Sequence, residues 1–592
     1  MRLHLLRGEP FSSTPKKDMK KIYTTLLSLL VPIMMWAQGW PAKYGGVMLQ
    51  GFYWDSYSDT NWTNLESQAD EMSDFFDLIW VPNSAYANAL TNNMGYHPVY
   101  WFDHKSAFGT ELQLRSMINT FKNKGTGIIE DIVINHRASV DADWLNFPAE
   151  TYKGETYRLT ASDICKDDES KDSGYNPTGA KDTGRNWGGA RDLDHTSDNV
   201  QKNVKAYLDF LLNDLGYVGF RYDFVLGYAP EYIGIYNTAV KPAYSVMECW
   251  ENLNTIKTWI NGTKVDGIIQ SAAFDFPLKY NINEAFSNGG NWGKLNNACL
   301  TTEPGFNRYS VTFIDNHDTG RPGESPLYAN IEAANAFILT MPGTPCVWLS
   351  HWKAFKTAIK KQIYIRKAAG IHCQSNIETK ESSDIGFTLK VNGTNGNVLL
   401  LLGSSTADTS EFKLALEGTN YKLYVSNSVD ISGLDDIKDN TFTAPDCCIV
   451  EDGELCAFFE APSSWTVVKC WAWNNTSNFT GGTWPGVNCT KVGTNNGNNV
   501  WKWKYTGTLS TQPTGIIFNN GSGTQTGDLD FRNGGYYNEA GALQGVVTGI
   551  TPVTISDPVS RIYTLDGRLM PTTDVNALPR GIYIVNGRKL VR

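Results

Sequence analysis

Carboxyl and imidazole side chains recur at four places in this chain, each time at the end of a short apolar run. The segments are D-I-V-I-N-H at Asp131–His136, G-F-R-Y-D at Gly219–Asp223, Y-S-V-M-E-C-W at Tyr244–Trp250 and F-I-D-N-H-D at Phe313–Asp318. Carboxyl and imidazole groups are the usual agents of general acid–base chemistry. One carboxylate after an apolar run is ordinarily a cap or a surface charge. Four such ends in one stretch describe the layout in which catalytic residues collect at the carboxyl ends of several barrel strands. Arg221 stands two residues before Asp223. On a strand both side chains face one side, and the fixed charge of the arginine favours an ionised Asp223.

The spacing predicts the elements that carry these groups. From Gly46 to about Gly370, apolar runs (Val47–Phe52, Leu78–Val81, Gly127–Asn135, Gly219–Asp223, Tyr244–Cys249) alternate with helical patterns (Trp62–Phe75, Thr110–Lys124, Ser197–Leu215). Such alternation implies a parallel sheet. One β/α repeat of a barrel takes roughly 30 residues. Asp223 to Glu248 is 25 residues, one repeat, and Glu248 to Asp318 is 70, two repeats. Asp131 to Asp223 is 92, one repeat with an insertion of about 60 residues. The motifs then fall on strands three, four, five and seven of a (β/α)8 barrel, with Thr344–Leu349 as strand eight and Trp352–Ala369 as the last helix.

Past Gly370 the pattern becomes all-β, with runs at Phe387–Val391, Val398–Leu402, Tyr421–Val425 and Cys448–Val450. Residues 461–545 hold six of the 19 tryptophans. The expected division is a signal region over 1–38, a barrel over 39–370 with an inserted domain at about 137–196, an all-β domain over 371–461, a β-sandwich over 462–545 and a short tail over 546–592.

At 592 residues the length suggests roughly four domains. A net charge of −10 argues against nucleic acid as a partner. Ten cysteines without a C-x-x-C pair exclude a disulfide scaffold and make a structural zinc site unexpected. Cys470 and Cys489, or members of the set Cys447, Cys448 and Cys456, are open as pairs. Lys20 and Lys21 precede the apolar run Ile22–Trp36, and Ala37 follows. That run is shorter than the roughly 20 residues a spanning helix needs and reads as a secretory signal, with Met19 as a plausible true start. The expectation is an exported protein with no transmembrane segment.

The four acidic segments, in this order and spacing, resemble the signature regions of glycoside hydrolase family 13, the α-amylase family, over about residues 44–370. The stretches D-I-C-K-D-D (Asp163–Asp168), A-R-D-L-D-H (Ala190–His195) and D-F-V-L-G-Y (Asp223–Tyr228) are most similar to plant-type members. The resemblance implies Asp223 as nucleophile, Glu248 as general acid/base and Asp318 as the carboxylate that holds sugar hydroxyls, the paired-carboxyl chemistry of retaining hydrolysis. It also implies His136 and His317 as donors to the sugar, Tyr96 as the ring beneath it and Arg221 as the partner of Asp223. The insertion matches a small domain that in relatives helps bind a structural calcium ion. Asn135, Asp192 and the carbonyls of Gly189 and Gly227 fall on ligand positions, with Asn186 where plant-type relatives carry Asp. Asn keeps an oxygen ligand but removes one charge. Met247 stands where relatives carry a small residue.

W-A-W-N at Trp471–Asn474, T-W-P-G at Thr483–Gly486 and I-I-F-N-N-G at Ile516–Gly521 resemble carbohydrate-binding module family 26, a starch-binding β-sandwich. The resemblance implies Trp471, Trp473 and Trp484 as the sugar platform, while Trp501, Trp503 and Tyr505 are expected in the core. The tail, with R-I-Y-T-L-D-G-R (Arg561–Arg568) and G-I-Y-I-V-N-G-R-K (Gly581–Lys589), resembles the sorting domain of type nine secretion, which implies the outer surface of a Gram-negative cell. Together these expectations describe a monomeric, secreted α-amylase acting on starch, glycogen and maltooligosaccharides. The alternatives are a family 13 transglycosylase or debranching enzyme and a non-catalytic starch-capture protein. Leu226 and Gly227, where transglycosylating relatives often carry Lys-His, favour the hydrolase, and the intact Asp223, Glu248 and Asp318 disfavour a silent protein.

Overall fold

The computed structural model describes residues 39–547 except 140–143, 439–441, 443, 452–453, 475, 496, 508–510 and 539–542. Beyond 547 it describes 562–564, 578, 582–585 and 588–591. The signal region and most of the tail therefore lie outside the described residues. The chain forms two compact units, one up to residue 437 and one from 438 onward.

In the first unit, eight short strands close into a barrel in chain order. They are β1 (Met48–Gln50), β2 (Leu78–Val81), β3 (Gly127–Ile132), β4 (Gly219–Tyr222), β5 (Tyr244–Met247), β6 (Ala272–Phe274), β7 (Ser310–Phe313) and β8 (Thr344–Trp348). Neighbouring strands are parallel throughout. Nearly every strand residue is buried, as a parallel sheet covered on both faces requires. The expected motifs fall on β3, β4, β5 and β7. Met247, at the end of β5, is fully buried.

Local chemistry sets the helix ends. Thr110 and Gln113 form a reciprocal capping box that starts the helix Glu111–Asn123. Ser197 accepts from the N–H groups of Asn199 and Val200 and starts Asp198–Phe210, which widens into a π turn at Leu211–Leu215 and stops at Gly216, φ +94°. The expected helix Trp62–Phe75 is two helices, Trp62–Glu66 and Ala69–Phe75. Ser67 Oγ and Gln68 Nε2 both donate to the Asn64 carbonyl, so side chains take the oxygen that a continuous helix would use.

The insertion follows β3. Its strand Arg191–Asp192 pairs antiparallel with His136–Arg137 at the end of β3, and its hairpin Glu150–Tyr152/Glu155–Tyr157 is held by the buried ion pair of Arg137 and Glu150. After the barrel comes a five-stranded antiparallel sheet of Asn376–Ser382, Gly386–Asn392, Asn397–Gly403, Tyr421–Ser426 and Phe412–Gly418, in that spatial order. Its inward residues, among them Leu389, Leu400 and Leu423, join the barrel's hydrophobic core. The run Cys448–Val450, expected as a strand, forms none.

The second unit contains a β-sandwich. One sheet is ordered Thr490–Asn495, Asn498–Lys504, Cys456–Ala461, Gly535–Tyr537, Leu543–Val546, and the other Val487–Asn488, Lys469–Trp473, Gly515–Asn519, Leu529–Asp530. Phe459 and Phe518 stack between them, centroids 4.7 Å apart. Cys456–Ala461 is thus the middle strand of the sandwich, not the end of the preceding all-β domain, and the boundary expected at 461/462 moves toward the N-terminus. The described parts of the tail form three antiparallel strands, Ile562–Thr564, Ile582–Val585 and Arg588–Val591.

Candidate active site

The register of β3, β4 and β5 brings the acids together. Arg221 on β4 lies opposite Asp131 on β3 and Val246 on β5. The ladders run one step past the strands: the Asp223 N–H donates to the Ile132 carbonyl and the Glu248 N–H to the Tyr222 carbonyl. The Arg221 guanidinium, with 1% of its side chain exposed, therefore meets three carboxylates. Its Nη1 lies 2.6 Å from Asp131 Oδ1 and 2.6 Å from Asp223 Oδ1, and its Nη2 lies 2.7 Å from Glu248 Oε1. The next residue, Phe224, is held at φ +40°, a strained conformation for a side chain of its size, and its N–H donates to Glu248 Oε2 at 2.9 Å.

One cation cannot neutralise three buried anions. Burial and the charges of Asp223 and Asp318 push Glu248 up to about 8, against the pull of Arg221. Burial also lifts Asp131 to about 7. For Asp223 burial raises the value while Arg221 lowers it. Glu248 is thus disposed to hold a proton at neutral pH, beside a carboxylate held by a guanidinium, which is what an acid and nucleophile pair needs.

The loop that follows β7 supplies the third side. Asp318 is bonded by Arg321 Nη2 at 3.0 Å and lies 3.2 Å from His317 Nε2. Burial holds His317 down at about 4, so the ring is neutral. The Gln50 amide Nε2 faces its Nδ1 at 2.9 Å, which places the proton on Nε2, 2.6 Å from the Tyr96 hydroxyl. Tyr96 in turn donates to Asp131 Oδ2 at 2.9 Å. The Tyr96 ring lies parallel to Trp54, 6.0 Å away, and the Arg321 guanidinium sits 4.4 Å over Trp54. His136 is nearby but engaged otherwise: its Nε2 lies 2.9 Å from the Tyr96 carbonyl, and Trp187 stacks on the ring at 3.9 Å.

Sequence reasoning did not place Gln50, Trp54, Trp187 or Arg321 in the site, and it used Asp131 only to mark a motif. Gln50 ends the first strand and Trp54 follows it, where the strand-end rule applied equally but no acid drew attention.

The calcium positions form a second cluster in the insertion. Asn135 Nδ2 donates to Asp192 Oδ1 at 2.9 Å, and the Trp187 N–H donates to Asp192 Oδ2 at 2.8 Å. A Cβ on Gly227 would overlap Asn135 Oδ1, so only glycine lets the two segments approach. Gly189 is similarly closed by the ring of Trp187. Asn186 is exposed. Asp168 and Glu169, absent from the expected ligand set, come within 4.8 Å of Asp192 oxygen to oxygen. Both Glu169 carboxylate oxygens are buried without a hydrogen-bond partner. Burial, with the like charges of Asp182, Asp168 and Glu169, pushes Asp192 up to about 8. An all-oxygen, anion-rich cluster with unpartnered oxygens fits a hard divalent cation.

In the sandwich, Trp471 and Trp473 alternate with the buried Cys470 and Ala472, so both stand on the outer face of their strand. Trp484 is 48% exposed and meets Trp471 edge to face at 5.8 Å. Trp503 is 1% exposed and belongs to the core, and Trp501 and Tyr505 are partly buried against it.

Residues 76–351 match the family described as Alpha amylase, catalytic domain, and residues 457–531 match Starch-binding module 26. Probable alpha-amylase 2 of Arabidopsis thaliana is 31% identical over 357 residues, covering 56% of this chain and 82% of that protein. Glucan 1,4-alpha-maltotetraohydrolase of Stutzerimonas stutzeri is 28% identical over 429 residues, covering 66% and 75%. Among solved structures, an alpha-amylase of Geobacillus thermoleovorans superposes with a TM-score of 0.50 at 14% identity over 64% of this chain and 98% of that one, a likeness of fold. Identity sustained across four fifths of a relative, on a barrel whose acids converge as described, is enough to conclude that the chain belongs to the alpha-amylase family of glycoside hydrolases, which act on starch-type glucans.

Proposed function

We propose that this chain is an exported, plant-type α-amylase that cleaves α-1,4-glucosidic bonds with retention of configuration. The observation that carries the reading is the placement of Asp223 and Glu248 on the two terminal nitrogens of one guanidinium, Arg221. Two carboxyls so held are close neighbours, as the retaining pair is, at about 5–5.5 Å. Asp223 attacks the anomeric carbon while Glu248 gives its proton to the departing glycosidic oxygen. Glu248, now ionised, then takes a proton from the water that breaks the glycosyl–Asp223 ester. Asp318 and His317 hold hydroxyls of the sugar, and Tyr96 lies against its face. The 31% identity to a plant protein supports the subfamily assignment.

Asn135, Asp168, Glu169 and Asp192 would hold a calcium ion. When bound, the ion supplies positive charge that compensates the acids and ties the insertion to the end of β3. The basic–apolar–small order of Lys20–Ala37 supports export, and the motifs of the tail support sorting to the outer surface. In the sandwich, Trp471, Trp473 and Trp484 form the glucan platform.

The test is digestion of a soluble maltooligosaccharide with the anomer of the fresh product read by NMR. Appearance of the α-anomer supports the reading. Fresh β-anomer would refute retention, products longer than the substrate would indicate transglycosylation, and no release of reducing ends would indicate a capture protein. Cell fractionation of the source bacterium tests export.

A further inference from the structure

Asp318 and His317 reach the site from a loop, residues 315–327, that follows β7. The loop's base is fixed by a side chain from elsewhere. Lys279 lies on the helix Phe276–Phe286, which follows β6 and is capped by Asp275. Its side chain is fully buried. Its ammonium donates to Asp315 Oδ1 at 3.0 Å, to the Ser325 carbonyl at 2.7 Å and to Asn283 Oδ1 at 2.8 Å. The three donors of the ammonium are thereby satisfied. Two of the acceptors stand at opposite ends of the loop, so one cation closes it. Asn283 Nδ2 adds a bond to the same Ser325 carbonyl at 2.6 Å, and the Leu327 N–H donates to Asp315 Oδ2 at 2.9 Å.

The bonds that shape the turn itself are short-range. Asn316 Oδ1 accepts from the N–H groups of Asp318 and Thr319, and Thr319 Oγ1 accepts from the Asn316 N–H. These fix the shape of the turn. Over the barrel His317 is held by Gln50 and Tyr96, while the two ends of the loop are held at Asp315 and Ser325. His351, 3.7 Å from Asp315 Oδ2, is neutral because burial holds it at about 3, so Lys279 is the compensating charge. A buried ion pair is weak ground for stability, since apolar residues of similar volume often do as well. Its directional bonds at both ends of one loop give it a different use.

We propose that Lys279 is a positioning residue: through Asp315 and the Ser325 carbonyl it sets where the 315–327 loop presents Asp318 and His317 to the sugar. The inference rests on the reading of Asp318 given above.

The test is a cycle of variants assayed on a soluble maltooligosaccharide. Lys279→Met with Asp315→Asn removes both charges and leaves no buried ion alone. Its kcat should fall about ten- to hundred-fold, with KM changed by less than about two-fold. Asp318→Asn should lower kcat by itself, and adding it to the double variant should cost little more, because both changes remove the same placement. Losses that multiply, or a double variant with kcat within about two-fold of the parent, would show that Lys279 only stabilises the fold. If the double variant does not fold, Lys279→Arg enters the same cycle, since it keeps the charge but not the three-point reach. An unimpaired Asp318→Asn would overturn the reading of Asp318 and this inference with it. An impaired Asp318→Asn beside an unimpaired double variant would overturn the role of Lys279 alone.

Discussion

Glu248 must carry a proton before it can give one. Its raised value of about 8 means that the protonated form prevails below that pH and is lost above it. The kcat/KM for a maltooligosaccharide should therefore fall as pH rises through about 8. Asp223 works as the ionised form, and burial holds its value above the usual aspartate range. Acid should thus switch the enzyme off at a higher pH than a free aspartate would. Glu248→Gln should cost about 10²- to 10⁴-fold in rate and abolish the alkaline limb. A surviving alkaline limb in that variant would assign the proton to another group. The meeting of Asp223 and Glu248 at one end of the barrel was legible in the sequence because strand ends with acids at repeat spacing are rare by chance. Asp131 was harder to weigh, because nothing in D-I-V-I-N-H says that its first residue shares a guanidinium with Asp223. Trp54 and Arg321 meet only in three dimensions, 267 positions apart in the chain.

At the level of elements, β3 carries a second buried acid. Glu130 Oε1 accepts from the Ser84 N–H at 2.9 Å and from its Oγ at 2.6 Å, while Oε2 is buried without a partner. Burial pushes the group up to about 8. The fold thus favours the protonated form. Its contribution to stability is full below the usual carboxylate range and is lost as pH rises to about 8. Melting temperatures measured between pH 5 and 8 should decline in the parent and decline less in Glu130→Gln. An equal slope in both would place the effect elsewhere. The insertion offers a parallel case. A chelator should lower the melting temperature, calcium should restore it, and Asp192→Asn should blunt the response; a parent indifferent to both would remove calcium from the account. The barrel's order and the insertion's place were readable from spacing, because β/α repeats have a characteristic length. The ligand set was not, since Asp168 and Glu169 approach Asp192 through the folding of the insertion.

For the whole molecule, the two units divide labour in a way that can be separated. Deleting residues 456–547 should leave cleavage of short soluble substrates unchanged and reduce adsorption to granular starch. In the full chain, Trp484→Ala should lose adsorption without a change in melting, since its ring is half exposed. Trp503→Ala should unfold the sandwich, with a cost of about 3–5 kcal/mol for a core tryptophan. Adsorption retained by Trp484→Ala would move the platform to another face. The sandwich's middle strand, Cys456–Ala461, pairs with Asn498–Lys504 on one side and in parallel with Gly535–Tyr537 on the other. A ribosome delivering this chain therefore releases the strand long before its second neighbour exists. Until residue 537 emerges, one edge of an apolar strand stands open to any other chain nearby. Premature termination or proteolysis between 504 and 535 would leave that edge uncovered for good, so fragments ending there should aggregate where the full chain stays dispersed.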